Sequence, residues 1–311
     1  MHKPFKINDI AKKYRAGFIF LLLFFVISAR GQNANMKRDT TKGFDFFINA
    51  GFYVENKKNA NYYRGIPSPM EDEYMQPDIS YIMTNYFYRT DIMKLIQENH
   101  RGIVADTFWL EELSNMRYNA NFCFGIGARY RFTKNLSIGV VLTQATMTAH
   151  GVANIGVKIM EVNSANVLPY PLVGKERRTA FELTANYIFS TQSTVYPLLE
   201  GGMFVNNTKV ISADLVVENH PFTMINRYGQ SYDPTIPQTE ITRRMGGIGY
   251  GFSAALGLRI SFNKWLAFEP VAQFRLEKIN LPGYEKLRPN CNFMIRLMLG
   301  DGFFARKGEV K

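Results

Sequence analysis

The sequence predicts an all-β fold, an eight-stranded antiparallel up-and-down transmembrane β-barrel with long extracellular loops, the first of them partly helical. Three observations predict it. From Tyr118 to Phe132 every even position is apolar, while the odd positions are Arg, Asn or Gly with Cys123 the soft exception. A strand, with its two-residue side-chain period, then has one greasy face and one polar face. The polar face carries Gly, Asn, Ser and Arg rather than the Lys and Glu of a sheet face washed by water, which suits the narrow lumen of a small barrel. Past Ile27 no apolar run is long enough for a membrane helix, which leaves the soluble periplasm, secretion or a barrel.

The N-terminus reads as a signal peptide over residues 1–31. Lys3, Lys6, Lys12, Lys13 and Arg15 precede an apolar run over residues 16–27, and Ala29 with Gly31 forms a small-residue cleavage site. The run falls short of the ~18 residues of a spanning helix. Without this segment the formal charge drops from +11 to +6, since six Lys/Arg and one Asp leave with it. No basic stripe remains, so nucleic acid is not an expected partner; outer-membrane lipid and anionic lipopolysaccharide are better matches for the remaining charge. Aromatic usage, with 25 Phe, 17 Tyr and only 2 Trp, fits lipid-facing strands and interfacial girdles.

Residues 32–43 form an expected periplasmic entry segment, and residues 44–304 the barrel. Strand one places Phe44, Phe46, Ile48, Ala50, Phe52 and Val54 outward. A long loop over about residues 55–116 follows, with a helix expected from Asp78 to about His100, a short turn from Asp106 through Leu113, and a helical stripe of Ile82, Tyr86, Met93 and Ile96. The hairpin of strands two and three turns at Thr133-Lys134-Asn135, with Leu136, Ile138, Val140 and Leu142 resuming the greasy face. A second loop is expected over about residues 149–177. Strand four then shows Phe181, Leu183, Ala185, Tyr187 and Phe189 outward, and strand five Val195, Pro197, Leu199, Gly201 and Met203. A third loop, about residues 207–244, precedes strand six, whose outward set is Ile248, Tyr250, Phe252, Ala254, Leu256, Leu258, Ile260 and Phe262. Strand seven turns Leu266, Phe268, Pro270, Ala272, Phe274 and Leu276 outward, and strand eight Phe293, Ile295, Leu297 and Leu299; residues 305–311 are a tail. Phasing sets Cys123 inward and Cys291 outward, so no disulfide is expected.

Tight turns repeat Tyr130-Arg-Phe-Thr-Lys-Asn-Leu136, Tyr187-Ile-Phe-Ser and Ile260-Ser-Phe-Asn-Lys-Trp-Leu266. With these turns, the glycine-alternating strands and the Val195-Tyr-Pro-Leu-Leu-Glu-Gly-Gly segment, the chain resembles the OmpA/OmpX-type outer-membrane β-barrel superfamily in its Bacteroidetes-like version. The resemblance covers about residues 44–304 outside the long loops and implies the fold and the outer membrane, with little about activity. Such barrels often end on an aromatic residue, whereas here Phe303-Phe304 precedes a short tail.

Eight strands enclose room for side chains only, so the interior is expected to be a packed polar network of Arg129, Glu182, Glu200, Arg259, Glu269, Arg275 and Arg296. Counting from Asn263-Lys264 sets Arg259 opposite Glu269 as an ion pair. The same count about Thr191-Gln192 sets Glu182 beside Glu200, and such a carboxylate pair needs an arginine or a shared proton. His100, His150 and His220 all fall in or near long loops, and no Ser/His/Asp or metal-ligand spacing accompanies them. No catalytic, cofactor or metal site is therefore expected. Tyr62, Tyr63, Tyr86, Tyr88 and Trp109 make the first loop a candidate interaction surface, because stiff aromatics contribute contact area at low entropy cost; they equally suit a loop folded on itself. The expected role is structural or interaction-based at the cell surface: envelope integrity, adhesion or docking of a protein partner. A rim-site enzyme and a small pore are the alternatives.

Overall fold

The computed structural model describes residues 42–67, 76–100, 107–158, 165–189, 195–225, 245–263 and 266–300. The expectations for residues 1–31, for most of the entry segment and for the C-terminal tail lie outside the described residues. Among the described residues there are eleven strands: β1 (Gly43–Val54), β2 (Phe108–Leu113), β3 (Arg117–Tyr118), β4 (Asn121–Arg131), β5 (Leu136–Lys158), β6 (Ala165–Ile188), β7 (Val195–Val217), β8 (His220–Thr223), β9 (Gly246–Ser261), β10 (Leu266–Lys278) and β11 (Arg288–Gly300). Three short helical segments and one longer helix fill the first insertion: α1 (Lys57–Ala60), a 3-10 turn (Asn61–Arg64), α2 (Ile79–Thr84) and α3 (Tyr86–Asn99). None of these is long and apolar enough to cross a membrane.

Eight strands close into a ring. β1 pairs with β4, β4 with β5, β5 with β6, β6 with β7, β7 with β9, β9 with β10, β10 with β11, and β11 with β1, all antiparallel. Closure removes every free edge from the ring. Along each strand the predicted greasy set points outward and stays uncovered: Phe44 is 52% exposed, Ile126 60% and Leu256 66%. The intervening residues are buried, among them Asp45, Asn49, Arg129 and Glu269.

Tight turns close one rim. At Phe132 to Leu136 the Phe132 N–H donates to the Leu136 carbonyl (3.0 Å) and the Thr133 hydroxyl accepts from the Leu136 N–H (2.9 Å). Phe262 to Leu266 repeats the closure, with Asn263 in the accepting role (2.8 Å). Rings meet edge to face along this rim, Tyr130 with Phe132 and Tyr187 with Phe189, each at 5.0 Å. Ile260 corrects the outward set of strand six: it is buried at this rim rather than exposed.

The opposite rim departs from the predicted loops. β5, β6 and β7 have 23, 24 and 23 residues, although a barrel strand needs only about 9–11 to cross a bilayer. Residues 149–177 are therefore mostly strand, paired without a break from Leu136↔Tyr187 to Lys158↔Ala165. Residues 207–217 likewise continue β7, and β8 folds back on it. β2, expected as a turn, is a strand on β5. The result is a tall wall in the order β2-β5-β6-β7-β8 that rises from one side of the ring.

The wall buries a core of ordinary kind. Ala153, Ile155 and Val157 of β5, Leu168 and Leu172 of β6, and Leu215 and Val217 of β7 face the helices. The expected single helix is two, because Asn85 ends α2 in an extended conformation and caps α3 by accepting from the Phe87 and Tyr88 N–H groups. The buried stripe is Ile79, Ile82, Ile92 and Ile96, with the predicted Met93 half-buried against the same core; Tyr86 leaves the predicted stripe, at 75% exposed. Tyr63 seats its ring on the bare backbone of Gly174, where an added Cβ would lie 2.1 Å from the ring. From the far side Ile279 and Leu281 join the same core, and Tyr284 stacks on Tyr62 at 5.9 Å. This apolar lobe lies across the mouth of the ring.

A one-residue slip separates β3 from β4. Cys123 pairs with Ala145, whereas Tyr118 pairs with Ala149. That slip turns Tyr118 inward, against the predicted outward phase, and it meets the Tyr63 ring at 6.5 Å. Cys123 is buried on the inner face while Cys291 alternates with the inward Asn290 and Asn292, as the phasing predicts.

Candidate functional site

Two regions could carry function, the lumen and the lobe. Among the described residues six arginines and seven carboxylates are buried in the lumen and its mouth, so these charges nearly balance. Nearest the turn rim, Asp45 takes Arg131 and Arg259, each at 3.2 Å. Glu269 takes Arg259 (3.5 Å) and Arg129 (3.2 Å), and Glu200 takes Arg129 (3.4 Å) and a two-pronged contact from Arg296 at 2.5 and 2.8 Å. Each carboxylate thus shares an arginine with the next, and the Arg129 and Arg296 guanidinium groups also lie 5.5 and 5.4 Å from the Phe47 ring centroid.

The predicted Arg259–Glu269 pair is present. The predicted neighbours Glu182 and Glu200 are not: Glu200 lies opposite Asn186, and Glu182 opposite Phe204. The count failed because the β6–β7 connection is longer than a tight turn. Phe189 donates to the Pro197 carbonyl, which moves the pairing centre toward β7. Glu182 instead accepts from the Ser253 hydroxyl and from Gln273 at 2.8 Å. Arg275, expected in the ion-pair network, forms no ion pair among the described residues; its guanidinium covers the Phe204 ring at 3.7 Å.

Toward the mouth a second cluster surrounds Arg178, which reaches Glu176 at 2.6 Å, Glu55 at 2.7 Å and Glu277 at 4.0 Å. Tyr53 donates to Glu277, and Tyr63 to Glu176 at 2.5 Å. Asp45, Glu55, Arg131, Glu176 and Arg178 were not singled out from sequence. Asp45 was within reach of the alternation, since it lies on the inward phase of β1, but its partners come from β4 and β9, far along the chain. Packed this way, the charges fix strand register by direct pairing.

The lobe divides the five predicted recognition aromatics. Tyr62 and Tyr63 are buried in its core and cannot present a surface, because they serve as the floor on which α2, α3 and the wall meet. Tyr88 is half-buried and stacks on Phe222 at 5.9 Å. Tyr86 is exposed, and Trp109 is partly so, lying across Gly156 with its Nε1 donating to Glu111 at 2.7 Å. Two of the three histidines meet at one residue, Glu218. His100 contacts Glu218 at 3.0 Å, His220 contacts the Glu218 carbonyl oxygen at 2.9 Å, and His150 stands on the outer face of β5. Glu218 also accepts from Tyr170 at 3.2 Å, and Glu218 and Asn219 turn the β7–β8 hairpin with φ of 47° and 67°. The contact between His100 and Glu218 thereby ties the end of α3 to the hairpin tip. Among the described residues no group of three His, Cys, Asp or Glu is placed to hold a metal ion.

No protein-family model matches the chain, and no curated protein matches it in sequence. Among the solved structures similar to it in fold are three outer-membrane proteins. Neisserial surface protein A is 10% identical over 84% of this chain and 99% of its own, with a TM-score of 0.40. Outer membrane protein OprG from Pseudomonas aeruginosa is 13% identical over 85% of this chain and 96% of its own, at 0.33. The N-terminal β-barrel domain of OprF from the same organism is 13% identical over 62% of this chain and 96% of its own, at 0.29.

Proposed function

We propose that this chain spans the bacterial outer membrane as a closed eight-stranded barrel and acts there structurally or by surface interaction, presenting its folded lobe to the exterior. The observation that carries this is the reversal of burial in the ring: residues such as Phe44, Ile126 and Leu256 face out while Asp45, Arg129, Glu200 and Glu269 are sealed in. Only hydrocarbon outside makes that arrangement favourable, and closed barrels satisfy every backbone group within it. The lumen is filled by ion pairs and the mouth is covered by a packed core, which supports a role other than pore or lumen-site enzyme. Surface presentation through the lobe, with Tyr86 and Trp109 on its exterior, is the form of interaction the shape favours.

Location and fold are tested together by the gel mobility of the protein from an outer-membrane fraction, boiled against unboiled. A closed barrel resists detergent until heated, so two bands are expected. A single band, or recovery in the soluble fraction, overturns the reading. Single-channel recording in planar bilayers is expected to be silent; steady conductance overturns the filled lumen.

A further inference from the structure

On β5, β6 and β7 the outward side chains change character row by row. Leu142, Phe181 and Val205 stand side by side at the top of the apolar belt. One step beyond come Gln144, Thr179 and Asn207, then Thr146, Arg177 and Lys209, then Thr148, Lys175 and Ser212. Arg177 is therefore directly opposite Lys209, with Lys175 two residues along the same face of β6. Opposed side chains have Cβ atoms ~5 Å apart, and like charges there weaken a sheet.

Among the described residues no carboxylate relieves that repulsion. Lys175, Arg177 and Lys209 are exposed, and none forms an ion pair among the described residues. Asp214 is the one carboxylate pointing outward on these strands above the belt; it lies a row further out, opposite Val173, and has a partner of its own. Three cations gathered on one face, flanked by Thr146, Thr148 and Asn207, match an anion with more than one phosphate joined to hydroxyl-bearing sugar.

Height selects the source of that anion. Arg177 is four residues from Phe181, about 13 Å along a strand and about 10 Å in height at the usual barrel tilt. Headgroups occupy the ~5–8 Å beyond the hydrocarbon, within reach of an Arg or Lys that bends back toward it. We propose that Lys175, Arg177 and Lys209 bind the phosphates of a phosphorylated glycolipid in the outer leaflet, with the neighbouring Thr and Asn side chains contacting its sugar. The site rests on the membrane reading given above.

The test uses the full chain folded into phosphatidylcholine nanodiscs, with diphosphorylated lipid A or its dephosphorylated form added and bound lipid measured by native mass spectrometry. Diphosphorylated lipid A should be retained preferentially. In the triple variant Lys175→Gln/Arg177→Gln/Lys209→Gln its retention should fall by on the order of 100-fold, about fivefold for each charge. The variant Lys175→Arg/Lys209→Arg should retain it. Equal retention of both lipids by the unaltered chain overturns the proposal, as does unchanged retention by the triple variant. Displacement by millimolar inorganic phosphate overturns the lipid as its source. If the triple variant loses its heat-shifted band, the single Lys209→Gln variant is read instead, with about a fivefold fall expected and no change overturning the site. Failure of the unaltered chain to enter nanodiscs overturns the membrane reading, whereas entry without lipid preference overturns this site alone.

Discussion

Strand β6 passes through two regions with opposite logic. In its lower half Phe181, Leu183 and Tyr187 face out and Glu182, Thr184 and Asn186 face in; in its upper half Lys175 and Arg177 face out and Leu168, Tyr170 and Leu172 face in. The side-chain period never changes. What changes, near Arg178, is the chemistry assigned to each face. The ring has ion pairs inside and exposed apolar side chains outside, whereas the lobe is built like a soluble domain with an apolar core. One continuous ladder can serve both because backbone pairing is indifferent to which face is greasy.

That contrast can be broken, and the largest effect is expected from the ring. Arg296→Ala removes the two-pronged partner of the buried Glu200 carboxylate and leaves it Arg129 alone at 3.4 Å, which should cost about 3 kcal/mol, read as a lower midpoint for loss of the heat-shifted band. The double variant Arg296→Met/Glu200→Leu should recover most of it. Recovery that fails, or a single variant without effect, would mean the lumen does not depend on charge pairing. In the lobe, Leu172→Ala should cost about 3 kcal/mol by opening a cavity. Protease sensitivity of the first insertion should rise while the heat-shifted band persists; loss of both together would show that lobe and ring unfold as one unit.

The sharpest comparison uses two outward residues of β6 with the same exposure. Leu183 and Val167 are each 45% exposed. Leu183→Arg should cost about 2 kcal/mol because it meets lipid, while Val167→Arg should stay within about 0.5 kcal/mol because it meets water. Equal effects in refolding titrations would remove the boundary drawn between the two regions.

The smallest effect is with alkali. Burial raises the hydroxyl pKa of Tyr63, Tyr170 and Tyr284 in the lobe, with Glu176 and Glu218 adding to it at the first two. The unfolded chain then releases these protons first, near the ordinary tyrosine value of about 10. Lobe stability should be undiminished below that pH and fall as pH rises above it. Phenolate absorbance should show a late-titrating group that the Tyr63→Phe variant reduces in amplitude.

Legibility followed how local the signal was. The eight ring strands and their outward faces were readable because alternation is a local property, and the Arg259–Glu269 pair because a tight turn transmits register over a few residues. Glu182 and Glu200 were misplaced because that transmission fails when the connection lengthens. The strands over residues 149–177 were missed although Ala153, Ile155 and Val157 alternate clearly; the greasy phase there points inward, and Pro169 and Pro171 fall within β6. The Val152 N–H and carbonyl both bond to Ser114 on the β2 side, so the residue opposite Val152, Pro171, turns its nitrogen toward the edge that β7 leaves free. A proline is tolerated at such an edge.

By itself the sequence determined the strand period, the greasy outward belt, the tight turns and the polar character of the lumen, because each depends on residues within one strand or one hairpin. Only the tertiary structure decided which lumen charges meet, that Tyr62 and Tyr63 form a core rather than a surface, and that Lys175, Arg177 and Lys209 gather on one face. Those outcomes require registers across strands from distant parts of the chain, and a register set by long connections cannot be counted from either end.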